Sequence, residues 1–138
     1  MVSDKAVRQA LYEKLNVASV TSLLGNGSAS VVHGVGQPTA VYPLCVYSKQ
    51  SGVTDELAFG GSHQTNQLWL VKGLTRSPKP TAAEDIDKAA FDLLHFGDLT
   101  ISGADDLFLS RESDVSYPET QGDTVFWHVG GIYRLKYR

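Results

Sequence analysis

The sequence has little cysteine and no long apolar run, and both shortages exclude whole classes of protein. Cys45 is the only cysteine in 138 residues, so no disulfide can form within the chain. It lies in a strand-like run, where a free cysteine is usually a small buried apolar residue. No apolar stretch reaches the roughly 18 residues that a membrane-spanning helix needs, and the first five residues hold no apolar signal-peptide core. We therefore expect a protein made in the cytoplasm, with no membrane partner.

Motifs that bind metals, phosphates or acyl groups are also missing. None of the four histidines stands at a metal-ligand spacing from another, and one cysteine cannot build a zinc site. We expect these histidines to be surface or structural residues: His33, His63, His95 and His128. Neither a G-x-S-x-G nucleophile elbow nor a G-x-x-x-x-G-K-[ST] phosphate loop occurs. The sequence therefore predicts no catalytic residue, no metal site and no cofactor, and a protein that is not an enzyme.

Length and charge favour one domain, residues 1–138, with two unlike halves. Hydrophobic residues make up 42% of the chain, which is enough for a core. Residues 1–80 hold seven Lys and Arg against four Asp and Glu, or +3, and residues 81–138 hold five against eleven, or −6. This split fits ordinary solvated surface. It also fits complementary faces that meet between copies, or an acidic surface past which DNA slides.

Hydrophobic periodicity predicts the elements of the first half. A helix is expected over Ser3–Asn16, followed by a short helical turn over Ala18–Leu24. Strands are expected at Ser30–Val35 and at Leu44–Ser51. Residues 52–62 hold three glycines and two acids, and we interpret them as a long loop that is either mobile or ordered by a partner.

The second half begins with a strand at Gln67–Lys72 and a loop that Pro78 and Pro80 interrupt. Thr81 and Glu84 have the spacing of a capping box, which predicts a helix over residues 82–94. Shorter strands are expected at residues 99–102 and 107–116, with a turn over residues 117–123. The last strand, residues 124–138, alternates apolar and polar types, with a bend or bulge at Gly130-Gly131. Trp69 and Trp127 are expected to face inward. These elements predict an α+β fold, a mostly antiparallel sheet with two main helices on one face.

Several stretches, in this order, resemble the tail-completion, or tail-terminator, proteins of long-tailed bacteriophages. The resemblance covers nearly the whole chain and lies in Leu11-Tyr12-Glu13-Lys14-Leu15, Tyr42-Pro43-Leu44-Cys45-Val46-Tyr47, Gln67-Leu68-Trp69-Leu70-Val71, the helix Ala82–Leu94, Tyr117-Pro118-Glu119-Thr120 and Tyr133-Arg134-Leu135-Lys136-Tyr137. Family members commonly have an acidic residue where this chain has Leu68. The strand that contains Leu68 is therefore expected to be more buried in this chain.

The resemblance implies a structural protein of the virion rather than an enzyme. Such proteins form a ring, typically hexameric, at the head-proximal end of the tail tube. The ring stops tube polymerisation and presents a surface for joining the filled head, and genomic DNA later passes through it. The implied partners are other copies of the chain, the major tail tube protein and a head-completion or neck protein. A cyclic ring uses head-to-tail contacts, so each subunit needs two complementary faces.

On this interpretation we expect charged residues at the subunit or tube interface, namely Asp55, Glu56, Lys72, Arg76, Lys79, Arg134 and Lys136. Asp105 and Asp106 are candidates for the lumen, although turn chemistry also explains them.

A close alternative is another ring protein of the head–tail connector, such as a head-closure component. A third hypothesis is a small-molecule binding module, which requires the side chains of His128 and Asp123 to converge on a pocket. The alternation of the last strand places His128 on the face opposite Trp127. A net charge of −3 disfavours nucleic-acid binding.

Overall fold

The structure, a computed structural model, describes residues 2–35, 39–58 and 62–138. It contains three α-helices, one 3₁₀ turn (Gly27–Ser30) and five strands. Their bounds are α1 Asp4–Leu15, α2 Ala18–Thr21, β1 Val31–His33, β2 Leu44–Ala58, β3 Ser62–Thr75, α3 Thr81–Leu94, β4 Phe108–Gln121 and β5 Thr124–Tyr137. None of the described helices is long and apolar enough to cross a membrane.

The five strands form one sheet in the order β1-β2-β3-β5-β4. Only the β1–β2 pair is parallel, and the other three pairs are antiparallel. Helices α1 and α3 pack on the same face, with α3 over β3 and β5 and α1 beside it towards β1. The predicted α+β fold with two main helices on one face is therefore confirmed. We call this the covered face, and the opposite side of the sheet the uncovered face.

The core lies between the helices and the covered face. Its largest fully buried side chains include Trp69, Tyr133, Leu11 and Ile86. Cys45 is also fully buried, as expected, and burial raises the pKa of its thiol to about 12. Trp127 is on the covered face, as the alternation of β5 predicts, and it is partly buried there.

The two main helices begin in different ways. The Ser3 hydroxyl caps α1 by accepting a hydrogen bond from the Ala6 amide (3.2 Å), as the sequence indicates. The predicted capping box of α3 is wrong, because Pro80 stands at the N-cap and Thr81 is already helical. The Glu84 amide donates to the Pro80 carbonyl (2.9 Å) and not to a threonine hydroxyl. A residue inside the first turn cannot cap that turn, so the threonine contributes no cap.

The loop predicted for residues 52–62 is also wrong over most of its length. Residues 52–58 continue β2 and pair with β3 as far as Ser62, so this stretch is a long hairpin. Residues 59–61 lie outside the described residues. Backbone hydrogen bonds form a ladder whatever the side chains are, so a glycine-rich, polar composition does not prevent a strand.

Strands β2, β3 and β4 are longer than predicted, whereas β1 is shorter and β5 has nearly its predicted bounds. Strand β4 runs on to Gln121 through the predicted turn, and a two-residue turn with Gly122 at φ +60° joins it to β5. Pro118 is tolerated because β4 is an edge strand, where a missing amide donor breaks no ladder. Residues 99–102 form no strand, and the strand expected over residues 30–35 is limited to Val31–His33.

Candidate assembly surfaces

Two long hairpins project from opposite ends of the sheet. The β2–β3 ladder continues to Ala58, whereas β5 pairs with β3 only as far as Thr65. At the other end, β4 and β5 pair as far as Gln121, beyond Thr75, where β3 ends. Each end of the sheet therefore carries a two-stranded arm that extends past the remaining strands. Such arms are suited to reach a neighbouring protein.

The first arm holds Asp55 and Glu56. Their backbones pair with Gln64 and His63 of β3. Their side chains lie outside the part of the chain that the structure describes. Their role at an interface stays a prediction, now with the backbone placed on a hairpin instead of a loop.

Arg76 and Lys79 lie at the other end, in the connection from β3 to α3, and both are exposed. The Trp127 Nε1 donates to the Pro78 carbonyl oxygen (3.0 Å), which ties this connection to β5. Lys72 is near this end of β3, but its side chain is on the uncovered face. The three basic residues expected at an interface in this part of the chain are therefore divided between two surfaces.

Arg134 and Lys136 lie on the uncovered face near the opposite end of β5. Arg134 is held by its own chain: its guanidinium donates to both carboxylate oxygens of Glu112 (2.9 Å each) and to Asn66 Oδ1 (2.7 Å). Lys136 is half-buried. Because Arg134 is already paired, it is a weaker candidate for a partner contact than the sequence indicates.

Asp105 and Asp106 are exposed in the segment before β4. Asp105 exchanges two backbone hydrogen bonds with Arg138 (2.8 and 2.9 Å), and Asp106 lies 3.5 Å from the Arg138 guanidinium. Both aspartates therefore contact Arg138 and are also exposed to solvent. The predicted site residues do not converge on one site, and they occupy both ends and the uncovered face.

An arginine that sequence reasoning missed connects the helices to the edge of the sheet. Arg111 of β4 is bidentate to Asp87 of α3 (2.7 and 3.1 Å) and also donates to the Gly130 carbonyl oxygen. Its Nε lies 3.0 Å from Asp114 Oδ1 but is not aligned for a hydrogen bond. A Cβ at Gly131 would meet the Arg111 side chain. Gly131 therefore makes room for the guanidinium. The bulge predicted at the glycine pair lies in β4 at Glu112 instead.

The environment of Arg111 is aromatic as well as acidic. Its guanidinium lies 5.6 Å from the Phe91 ring centre and 5.9 Å from that of Tyr133. Burial raises the pKa of the Tyr133 hydroxyl to about 12, although the arginine opposes the shift. The side chain of Arg111 is only 10% exposed, so the Asp87 pair joins α3 to β4 in a nearly dry setting.

The uncovered face holds a cleft of about 380 Å³, and His128 lines it. The His128 ring stacks on Tyr117 (4.4 Å between centres), and Lys72 lies over the same tyrosine. Nε2 of His128 is 3.2 Å from Glu119 Oε2, yet neither ring nitrogen makes a hydrogen bond to a described residue. Burial first, and the Lys72 ammonium second, lower the pKa of His128 below its usual value. Asp123, the second residue that a small-molecule site required, does not line this cleft.

An aromatic ridge, Phe96 with Phe108, lies along the outer side of β4. The two rings are 5.8 Å apart, and Phe96 is 68% exposed. Phe96 follows the end of α3 with φ +54°, a left-handed conformation that costs a bulky residue on the order of 1–3 kcal/mol. Glycine is usual at this position after a helix, and here it comes one residue later, at Gly97. The displaced glycine is the sequence signal for this site, and it becomes informative once the end of the helix is known.

Groups of three or more metal-ligating side chains do not occur among residues 2–35, 39–52 and 64–138, the part of the chain whose side chains the structure describes. The mixed charges around His128 offer polar contacts, but they do not assemble a nucleophile, a base and an orienting group. The surfaces with most to offer a partner are therefore the two arms, the uncovered face and the aromatic ridge.

Comparison with known proteins finds similarity in structure alone. The sequence matches no family model and no curated protein. The fold is similar to that of a chain in a solved structure described as the virion of a native gene transfer agent (GTA) particle. The TM-score is 0.71 and the sequence identity 16%, and the match covers 96% of this chain and 95% of that one. The two chains therefore share a fold over almost their whole lengths.

Proposed function

We propose that this protein is a structural component of a phage-like virion, and specifically a tail terminator. In this proposal it forms a ring, typically hexameric, at the head-proximal end of the tail tube. The ring stops tube polymerisation and provides the surface for head–tail joining. The observation that supports it best is the fold shared with a GTA virion chain over 96% and 95% of the two lengths. The order of sequence stretches that resemble tail terminators supports the finer assignment.

The two arms are consistent with a subunit that joins two different structures. One arm projects past each end of the sheet, so a ring with its axis along the strands exposes one set of arms on each side. In the proposal, one set contacts the tube and the other the neck. The exposed Arg76 and Lys79 lie on the side of the β4–β5 arm. Asp105 and Asp106 are proposed to face the lumen, where negative charge keeps DNA from binding.

Growing tail tubes test the proposal directly. We expect added protein to bind one end of tubes built from the cognate tube protein and to halt their growth, as seen by electron microscopy. Failure to bind tubes, or tubes that grow past the bound protein, would contradict the terminator role. Binding to isolated heads but not to tubes would instead favour a head-closure component, the closest alternative.

Charge reversal identifies the arm that contacts the tube. If the β4–β5 side faces the tube, the double change Arg76→Glu and Lys79→Glu slows capping and removes its salt dependence, because rim charges act mainly on association rate. Lys88→Glu, an exposed lysine on α3, is the matched control and leaves capping unchanged. An unchanged capping rate in the double variant assigns the tube to the β2–β3 arm.

A further inference from the structure

The aromatic ridge has the features of an interface anchor. Phe96 and Phe108 are 68% and 44% exposed, and they lie on the outer side of an edge strand. The Phe96 amide donates to the Leu109 carbonyl oxygen (2.8 Å), which fixes the ridge against β4. Large aromatic side chains are enriched where interfaces are most strongly bound, and a fixed one loses little entropy on binding.

The start of α1 carries basic side chains, whereas the surroundings of the ridge are acidic. Asp92 and Asp98, both exposed, flank Phe96 in sequence. In the first two turns of α1, Lys5 is exposed and Arg8 half-buried, while the charge of Asp4 is paired with a lysine of β2 (2.9 Å). Lysine and arginine pack their alkyl stems on aromatic rings while their charges pair with carboxylates. The two sides are therefore complementary in charge and in the kind of contact they offer.

One row of paired residues runs across the sheet below the ridge and the start of α1. Leu109 pairs with Leu135, Leu135 pairs with Gln67, and the row continues to Gly52 of β2. The Gln67 amide donates to Asp4 in the first turn of α1 (3.2 Å). The ridge thus lies beside the β4 end of the row, and the start of α1 lies over its β2–β3 end. A second copy placed beside the first, with strands in the same orientation, brings one against the other.

We propose that the aromatic ridge of one copy docks on the basic start of α1 of a second copy in solution. The rings of Phe96 and Phe108 lie against the side chains of Lys5 and Arg8 in this contact. It uses two different faces of each subunit, so it repeats from copy to copy and closes into a ring when the rotation allows. The inference rests on the proposed ring and assigns residues to its subunit contact.

The strained backbone of Phe96 permits a variant that keeps the fold. Asparagine tolerates the left-handed conformation better than phenylalanine, so Phe96→Asn removes the ring without disturbing the turn. The second variant carries Lys5→Glu and Arg8→Glu. Leu23→Asn, at an exposed apolar residue that follows α2 and lies outside the candidate surfaces, is the control. Urea unfolding of each variant establishes that the fold is retained.

Light scattering over a range of concentration and salt gives the test. We expect wild-type protein to reach a discrete multiple of 14.9 kDa, the Leu23→Asn control to do the same, and each of the other variants to stay monomeric. In an equimolar mixture of the two variants, the ridge of the Lys5→Glu and Arg8→Glu protein can still dock on the start of α1 of the Phe96→Asn protein. Every other contact between copies lacks one of its two sides. The mixture should therefore form dimers of twice the chain mass and nothing larger.

Three results would overturn the inference: a monomeric wild-type protein at every concentration, variants that associate like wild type, or a mixture that stays monomeric. Tube capping is scored separately. If Phe96→Asn still assembles on tubes and caps them, the docking contact is wrong while the terminator role stands. If wild-type protein associates as expected but does not cap tubes, the contact stands and the proposed function falls.

Discussion

The two faces of the sheet carry the same alternating strands and differ in what packs on them. On the covered face, Trp69, Val71, Tyr133 and Leu135 are buried by α1 and α3. On the uncovered face, their neighbours along the strands, Leu68, Leu70, Ile132 and Arg134, are only half-buried. The first set excludes water and stabilises the monomer. The second keeps apolar and charged area accessible, as a subunit that binds partners requires.

The comparison is sharpest for two leucines on opposite faces of the sheet. Leu135→Ala, on the covered face, should lower the free energy of unfolding by about 2–5 kcal/mol, because it opens a cavity in a fully buried site. Leu68→Ala, on the uncovered face, should cost less than about 1 kcal/mol, since it removes half-exposed area. Urea unfolding of the monomer measures both. Equal losses would mean that the two faces contribute equally to stability.

Two arginines extend the comparison to charge. Arg111→Ala leaves Asp87 without its bidentate partner in a nearly dry setting, and should cost about 3 kcal/mol. Arg134→Ala breaks the pair with Glu112 on the uncovered face, where the arginine is 29% exposed, and should cost less than about 1 kcal/mol. Thermal or urea unfolding separates the two. A large loss for Arg134 would show that the uncovered face also stabilises the monomer.

The covered face could largely be predicted from sequence, because burial against helices imposes a period on the chain. Strand β5 alternates, α3 has an apolar stripe through Ile86, Ala90 and Leu94, and Ser3 caps α1. These local patterns give the fold class and the helix-bearing side. The burial of Cys45 also follows from its strand-like neighbours.

The features that define the candidate surfaces depend on long-range contacts that no local pattern encodes. Arg111 meets Asp87 twenty-four residues away, and only the paired register of β4 and β5 brings Gly131 beneath its guanidinium. The arm formed by residues 52–58 has the composition of a loop and is a strand because β3 returns beside it. The late glycine after Phe96 becomes informative only once the end of α3 and the left-handed backbone of Phe96 are known.

The smallest expected effect concerns His128, whose two ring nitrogens make no hydrogen bond to a described residue on the uncovered face. Its pKa is lowered in the fold, mainly by burial and secondarily by Lys72, with Glu119 opposing. Between the folded and the unfolded pKa, the unfolded chain therefore binds more protons. The contribution of His128 to the free energy of unfolding is therefore fully present above the pKa of the unfolded chain, near 6.5, and is lost as pH falls below it.

His128→Phe removes this titration and keeps a ring to stack on Tyr117. We expect its free energy of unfolding to match or exceed that of wild type at pH 8, because no hydrogen bond is lost. At pH 5 the variant should be the more stable protein, by a margin larger than at pH 8. A margin that stays constant, or shrinks towards acid pH, would show that Glu119 stabilises the protonated histidine more than burial and Lys72 disfavour it.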